Sequence, residues 1–196
     1  MAATAFAFDL DGTLCDSRPY YASILSELTE IPAKELEARV GVNVVRLVGH
    51  LGVSRARFFS EARRRTQSLH LYPGVTETLG QLHSQRLPMG IASSLPRPLV
   101  MALLDGSGLT QFFRAIVAYE AGVPAKPNPA SVSRCLDQIG VTPSRTVFYV
   151  GDRDVDREAA LSAGIRFVWA KYGYGAGEVA SSDDVRITRF SELLRL

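Results

Sequence analysis

Two aspartates near the amino terminus are the residues best suited to chemistry. Asp9 and Asp11 flank Leu10 where a short apolar run ends, so both carboxylates can face one site while the leucine points inward. Adjacent carboxylates repel each other unless a cation or a proton holds them. Because hard divalent cations prefer oxygen ligands, the pair predicts a Mg²⁺ site. Gly12 then permits a tight turn, and Thr13 offers a hydroxyl.

A second acidic cluster follows a later apolar run, at residues 151–156. Asp152 stands where the run ends and is placed to complete a metal site with Asp9. Asp156 lies one helical turn beyond Asp152, so the two carboxylates share a helix face. Asp154 points elsewhere and is interpreted as a charge at a helix start, a position that the helix dipole favours for any acid.

Ser93 and Lys126 add anion-binding groups to these acids. Ser93 ends another apolar run and can donate a hydrogen bond to an anion. Lys126 lies between alanine and proline in a loop that two prolines stiffen. The chain holds only three lysines, so a catalytic ammonium belongs to Lys34, Lys126 or Lys171. With the aspartates, these residues predict a site for an anionic substrate with a compensating cation.

The elements that must position these residues follow a regular alternation. Near-continuous apolar runs of the kind found in buried parallel strands occur at residues 4–8, 88–92, 115–118, 146–150 and 165–170. Helical patterns lie between or after them, at residues 74–84, 96–104, 129–139 and 153–163. The alternation predicts a doubly wound α/β fold, in which ligands bind beyond the carboxyl ends of the strands. Every polar cluster above lies at such an end.

Residues 17–71 interrupt this rhythm, because they contain no convincing strand. Helical patterns cover residues 19–28, 33–39, 42–50 and 55–69, with Ser54 as a candidate N-cap of the last. We therefore expect a helical cap at 17–71, inserted into a core made of 1–16 and 72–196. A glycine-rich stretch at 173–177 is interpreted as a flexible loop.

Composition limits the class of protein. With 46% hydrophobic and 21% charged residues and a net charge of +2, the 196-residue chain is typical of a globular domain rather than a disordered segment. No apolar run approaches the roughly 20 residues of a membrane helix. Two cysteines without metal-ligand spacing predict the reducing cytoplasm. Arginine outnumbers lysine, but 20 acidic residues nearly balance the charge, so we expect no nucleic-acid partner.

Four short motifs now carry a resemblance that extends over nearly the whole chain. They are DLDGT at 9–13, IASS at 91–94, AKPNP at 125–129 and GDRDVD at 151–156. In this order the motifs resemble those of the haloacid dehalogenase superfamily, in its phosphatase branch. The resemblance implies a Rossmann-like parallel sheet of order 5-4-1-2-3 with an α-helical cap inserted after the first motif.

The resemblance also implies roles for the acidic residues. Asp9 would be the nucleophile that attacks phosphorus. Asp11 would protonate the leaving alcohol and then activate the water that hydrolyses the aspartyl-phosphate. Mg²⁺ would be held by Asp9, by the backbone carbonyl of Asp11 and by Asp152, with Asp156 supporting it.

The remaining motif residues would hold the phosphate. By resemblance, Ser93 and Lys126 would bind the phosphoryl oxygens, and we expect Ser94, Gly12 and Thr13 to contribute to the same site. Ser94 stands where many relatives carry asparagine.

The expected function is a Mg²⁺-dependent phosphatase of the phosphoglycolate phosphatase-like branch, acting on a small phosphomonoester. Asp11 and Asp152 argue against a true dehalogenase, which lacks the second acid and the metal. A sugar-phosphate mutase similar to β-phosphoglucomutase shares all four motifs and stays open as an alternative. The expected partner is a small phosphorylated metabolite, without nucleic acid or membrane, in a monomer or homodimer.

Overall fold

A parallel β-sheet forms the centre of the protein in the computed structural model, which describes residues 2–40, 44–120, 123–175 and 184–196. In chain order the strands are β1 (Ala5–Phe8), β2 (Cys15–Asp16), β3 (His70–Leu71), β4 (Met89–Pro96), β5 (Ala115–Tyr119), β6 (Val147–Gly151), β7 (Arg166–Ala170) and β8 (Val185–Ile187). Six of them pair in the order β5-β4-β1-β6-β7-β8, and every neighbouring pair is parallel.

The central strand β1 is buried on both faces. Phe6 and Phe8 pack into one hydrophobic cluster, while Ala5 and Ala7 pack into a second cluster on the opposite face. This arrangement explains the continuous apolar run, because helices cover both faces of the sheet and neither face meets water.

The five predicted strands occur, and their order agrees with the expected 5-4-1-2-3 when the sheet is read from its other edge. The prediction was wrong in stopping there, since β8 adds a sixth strand beside β7. Val185–Ile187 has only three residues, and a run that short has no periodicity that sequence reasoning can detect.

Helices occupy the segments between the strands. They are α1 (Arg18–Thr29), α2 (Ala33–Arg39), α3 (Val44–His50), α4 (Arg55–Arg64), α5 (Val75–Ser84), α6 (Arg97–Gly106), α7 (Ala130–Ile139) and α8 (Asp154–Ser162). Ser54 caps α4 as predicted, because its side chain accepts a hydrogen bond from the Arg57 N–H. Among the helices of the described segments, none combines the length and the hydropathy that crossing a membrane requires.

Two predicted cap helices differ from the structure. The one expected at 55–69 ends at Arg64, and a short 3₁₀ turn follows at Thr66–Ser68. Arg65 leaves the helical conformation and pairs with Glu27 of α1, a tertiary contact that the local pattern does not show. The helix expected at 42–50 is present from Val44, while its predicted first residues lie outside the described part of the chain.

A two-stranded antiparallel ribbon links the helical segment to the sheet. Cys15 pairs with Leu71 and Asp16 with His70, which joins β2 before α1 to β3 after α4. The expectation of no strand within 17–71 was therefore wrong at its last two residues, where two residues are too few to form a pattern. The ribbon lies at the boundaries predicted for the cap. That the helices between its strands form a separate unit stays a prediction.

Candidate active site

Asp9 lies at the carboxyl end of β1, in the centre of the sheet. Its backbone N–H donates to the carbonyl of Val150 on β6 (2.9 Å), so the residue continues the strand pairing by one step. The side chain is buried, and its Oδ1 accepts a hydrogen bond from Lys126 Nζ at 2.7 Å.

Lys126 connects the acids of the first and the last motif. Its buried ammonium lies 2.7 Å from Asp9 Oδ1 and 2.6 Å from Asp156 Oδ1, and it donates to the hydroxyl of Tyr149 at 2.8 Å. Burial alone would lower the pKa of this ammonium, but the carboxylates of Asp156 and Asp9 outweigh burial and raise the pKa well above its ordinary value. Lys126 therefore stays charged throughout the physiological pH range.

Tyr149 is a residue of this network that sequence reasoning missed. It lies in β6, and its hydroxyl accepts from Lys126 and donates to the carbonyl of Ala92 on β4 at 2.5 Å. The signal was a single hydroxyl within the apolar run at 146–150, which is equally typical of an ordinary core tyrosine.

Three carboxylates meet at this end of the sheet. Oxygens of Asp9, Asp152 and Asp156 lie within 4.8 Å of one another. Asp152 Oδ2 accepts hydrogen bonds from two backbone N–H groups, whereas its buried Oδ1 has no hydrogen-bond partner among the described residues. A buried carboxylate oxygen without a partner is costly, and a cation at this point would satisfy it. The donor set, made only of carboxylate oxygens, fits Mg²⁺.

The pKa values of two of these acids show that ionising them in a buried site is unfavourable. The pKa of Asp152 is raised to about 8, mainly by burial and in addition by the neighbouring carboxylates of Asp156 and Asp9. Burial also raises the pKa of Asp9, to about 6; Lys126 opposes this shift and Asp156 adds to it. Without a metal, Lys126 offsets only part of the negative charge of three buried carboxylates.

Asp11 lies apart from that group of three and faces helix α1. Both of its carboxylate oxygens lie 3.3 Å from the hydroxyl of Tyr21 on α1. Burial raises the pKa of Asp11 to about 7, with a further contribution from the charge of Asp9. A carboxyl group that titrates near neutral pH is suited to donate and then accept a proton.

A small cavity of about 70 Å³ opens over these groups. Asp9, Asp11, Ser93, Ser94 and Lys126 line it on the side of the sheet. The Ser93 hydroxyl is buried and accepts from the Leu95 N–H at 3.2 Å, which leaves its proton free to be donated into the cavity. The two carboxyl groups, the two serine hydroxyls and the lysine ammonium thus surround a space suited to one small anionic group.

The helical segment between β2 and β3 contributes a mostly apolar wall to the same cavity. Tyr21, Val40 and Val44 line it from that segment, together with Ser17 at its start. Charge at the site therefore comes from the residues that follow the strands, and the helical segment supplies the apolar side.

Gly12 and Thr13 do not line this cavity. Gly12 has a φ of +79°, and a Cβ there would lie 2.4 Å from Asp152 Oδ2. Thr13 is fully buried, and within the described structure its Oγ1 has no hydrogen-bond partner. The turn therefore allows the first and last motifs to approach closely, and phosphate binding by these two residues stays a prediction.

The glycine-rich stretch after β7 belongs to the site. The backbone N–H groups of Tyr174 and Gly175 donate to Asp152 Oδ2 at 2.6 and 3.2 Å. A Cβ at Gly173 would lie 2.2 Å from the carbonyl oxygen of Gly12. Residues 173–175 form a loop as predicted, and the flexibility expected of it stays a prediction; the rest of the stretch lies outside the described residues. The alternation of glycine and tyrosine was the available signal.

Comparison with known proteins agrees with this architecture. A model of the haloacid dehalogenase-like hydrolase family matches residues 6–170. The phosphoglycolate phosphatase of Pectobacterium atrosepticum is 35% identical, with 100% of this chain and 92% of that protein covered. The phosphoglycolate phosphatase of Yersinia pestis is 32% identical, with 98% and 92% covered. The crystal structure of a HAD-superfamily hydrolase, subfamily IA, variant 1, from Geobacter sulfurreducens superposes with a TM-score of 0.74 at 21% identity, covering 98% and 95%.

The fold, the ordered motifs and the buried acid–lysine network thus agree with the family match, which runs from within the first predicted strand to the end of the fifth. This chain is an enzyme of the haloacid dehalogenase-like hydrolase family.

Proposed function

We propose that this chain is a Mg²⁺-dependent phosphatase that hydrolyses a small phosphomonoester through an aspartyl-phosphate on Asp9. One observation carries the proposal: the Asp9 carboxylate is held by Lys126 and lies beside Asp152 and Asp156 at the floor of a small cavity. The curated relatives named phosphoglycolate phosphatase, which the chain matches over nearly all of its length, support the same reaction class.

The first step transfers the phosphoryl group to the enzyme. A carboxylate oxygen of Asp9 forms a bond to phosphorus while the bond between phosphorus and the ester oxygen breaks. Asp11, in its acid form, donates its proton to the departing alcohol oxygen. Burial suits Asp11 to this role, because its raised pKa keeps a substantial protonated fraction near neutral pH.

The second step releases phosphate. Asp11, now ionised, accepts a proton from a water molecule as the water oxygen attacks phosphorus, and the bond from phosphorus to Asp9 breaks. Together, the two steps restore Asp9 as a carboxylate and Asp11 as an acid, so the enzyme returns to its starting state.

Phosphoryl transfer depends mainly on positioning and on charge neutralisation. Lys126 and the Ser93 hydroxyl would bind phosphoryl oxygens, with Ser94 at the outer side of the same cavity. Mg²⁺, held by Asp9, Asp152 and Asp156 and by the backbone carbonyl of Asp11, would supply the positive charge that the phosphate and three carboxylates require.

The test is phosphate release from a panel of small phosphomonoesters with Mg²⁺ or with EDTA. We expect turnover only with Mg²⁺, and loss on the order of a thousandfold or more in Asp9→Asn. Asp154→Asn is the matched control, since this exposed acid lies in the last motif but outside the cluster. Full activity of Asp9→Asn, or full activity in EDTA, contradicts the proposal.

The products formed in the same assay distinguish a phosphatase from a sugar-phosphate mutase. A hydrolase releases free phosphate, whereas a mutase returns an isomerised sugar phosphate and no phosphate. If an isomerised sugar phosphate forms without free phosphate, the reaction is that of a mutase, and Asp9 remains the proposed nucleophile.

We further propose that the enzyme works in the cytoplasm on a phosphorylated metabolite. Cys15 and Cys135 are both free and buried, which is compatible with a reducing compartment.

A further inference from the structure

Tyr174 contacts the cation-binding cluster and the entrance to the cap at the same time. Its backbone N–H donates to Asp152 Oδ2 at 2.6 Å. Its phenolic oxygen accepts from the backbone N–H of Ser17 at 2.6 Å and of Arg18 at 3.2 Å. Those two residues lie more than 150 positions earlier in the chain, directly after the ribbon strand β2.

Close packing holds Tyr174 in place from both sides. A Cβ at Gly175 would lie 1.9 Å from the backbone oxygen of Asp152, and one at Gly173 would lie 2.4 Å from Asp152 Cβ. A Cβ at Gly12 would lie 2.9 Å from the ring of Tyr174. The backbone of segment 173–175 therefore lies directly against Asp152 and the turn after Asp11, with no space for a side chain at either glycine.

The Tyr174 hydroxyl caps the N-terminal end of helix α1. Ser17 is the N-cap residue of this helix, but its own side chain makes no capping hydrogen bond in the described structure. The first N–H groups of a helix lack partners within the helix, and here the Tyr174 oxygen supplies one. The hydroxyl donates in turn to Asp16 Oδ1 at 3.0 Å, and the Arg18 guanidinium stacks 3.9 Å from the ring centroid.

We propose that Tyr174 is a positioning residue that couples the cation site at Asp152 to the orientation of the cap at the start of α1. One residue binds Asp152 through its backbone and Ser17 through its phenol, so an ordering of either end orders the other. Linkage makes the effect reciprocal: a cation that holds Asp152 also holds the start of α1. The consequence for catalysis rests on the proposed function, whereas the coupling itself does not.

The direct test is amide hydrogen exchange at Ser17 and Arg18, measured by NMR with and without Mg²⁺ and without substrate. In the unmodified protein we expect Mg²⁺ to slow exchange of both amides severalfold. Tyr174→Phe keeps the ring and the backbone N–H and removes only the hydroxyl. It should speed exchange of both amides about tenfold and abolish their response to Mg²⁺.

Tyr172→Phe is the matched control. It removes a hydroxyl from the same loop, one that donates to the Thr13 carbonyl at 3.0 Å, and leaves the contacts of Tyr174 intact. Exchange at Ser17 and Arg18 should then stay within twofold of the unmodified protein. If Tyr174→Phe does not fold, the response of the Ser17 and Arg18 amides to Mg²⁺ in the unmodified protein decides the coupling by itself.

Kinetics give a second readout. A cap that closes less often lowers apparent substrate affinity in proportion to the closed fraction. We expect Tyr174→Phe to raise KM severalfold and to leave kcat within about twofold. Unchanged exchange in Tyr174→Phe, or exchange that ignores Mg²⁺ in the unmodified protein, overturns the coupling whether or not the protein is a phosphatase. Absence of phosphatase activity with the exchange response intact overturns only the proposed function.

Discussion

The carboxylate of Asp9 and the ammonium of Lys126 lie 2.7 Å apart, although 117 positions separate them in the chain. Lys126 simultaneously contacts Asp156 at 2.6 Å, so one buried cation holds acids from the first and last motifs. Burying such charges is favourable only when each has a partner, and removing one partner costs roughly 3–5 kcal/mol.

Lys126→Met should therefore damage both activity and stability. We expect phosphatase activity to fall by on the order of a thousandfold, since a preorganised positive group at the phosphate is lost. The metal-free protein should also lose several degrees of Tm, because Asp9 and Asp156 lose their shared cation. Activity assays and calorimetry check both effects. Lys171→Met, at an exposed position, is the control. Unchanged Tm in Lys126→Met would contradict the view that this pair stabilises the fold.

The stability of the metal-free protein should fall as pH rises. Burial raises the pKa of Asp152 to about 8 and that of Asp11 to about 7, from 3.8. The folded state then binds more protons than the unfolded state. The stabilising contribution of these two protonated carboxyl groups is therefore fully present below about pH 4 and is lost as pH rises through about 8. Calorimetry in EDTA should show a lower Tm at about pH 8.5 than at about pH 6, and a weaker dependence in Asp152→Asn.

Mg²⁺ should stabilise the protein most where these carboxylates are ionised. A ligand at a hundred times its dissociation constant adds about 2.7 kcal/mol. In a domain of this size about 1 kcal/mol shifts Tm by roughly 2–4 °C. We expect a rise of about 5–10 °C at about pH 8.5 and a smaller one at about pH 6, where bound protons compete with the metal. An equal rise at both pH values, or none, would show that the acid cluster is not the binding site.

Gly12→Ala should greatly reduce activity, because an added Cβ has no space beside Asp152 and Tyr174. Gly12 has a φ of +79°, and its added Cβ would lie 2.4 Å from Asp152 Oδ2. Gly52 has a similar φ of +68°, but no atom within 4 Å of an added Cβ in the described structure. Both alanine variants pay the cost of a left-handed conformation, about 1–3 kcal/mol. Only Gly12→Ala should lose phosphatase activity, by at least about a hundredfold. An equal loss of activity in the two alanine variants would mean that backbone strain causes the effect.

Tyr21→Phe should slow catalysis without unfolding the cap. The Tyr21 hydroxyl lies 3.3 Å from both oxygens of Asp11, and its removal frees the carboxyl to rotate. We expect kcat to fall about threefold to tenfold, the size of one lost hydrogen bond. Tyr20→Phe is the matched control, because the neighbouring buried hydroxyl donates to the Ala62 carbonyl instead of to Asp11. If both variants keep full kcat, Tyr21 does not orient Asp11.

Much of the architecture could be read from local patterns. The run Ala5–Phe8 and the runs like it are continuously apolar because both faces of the sheet are covered, and that requirement is visible in the sequence. The motif acids Asp9 and Asp152 follow such runs directly, so their meeting at one sheet edge was predictable. Strands of two or three residues, such as Val185–Ile187, were not, because their pairing depends on a neighbour rather than on any pattern of their own.

Which residues carry charge, and which end of the sheet they occupy, could be predicted from the order of residues alone, since strand periodicity and motif spacing are local properties. Their hydrogen-bond partners could not, because these depend on the fold. Tyr149 beneath Lys126, Tyr21 against Asp11, and Tyr174 between Asp152 and Ser17 all pair through contacts between distant segments. The pairing of such hydroxyls and backbone N–H groups has no signature in the sequence, because hydrogen-bond partners depend on which elements pack together, and packing is a property of the whole fold.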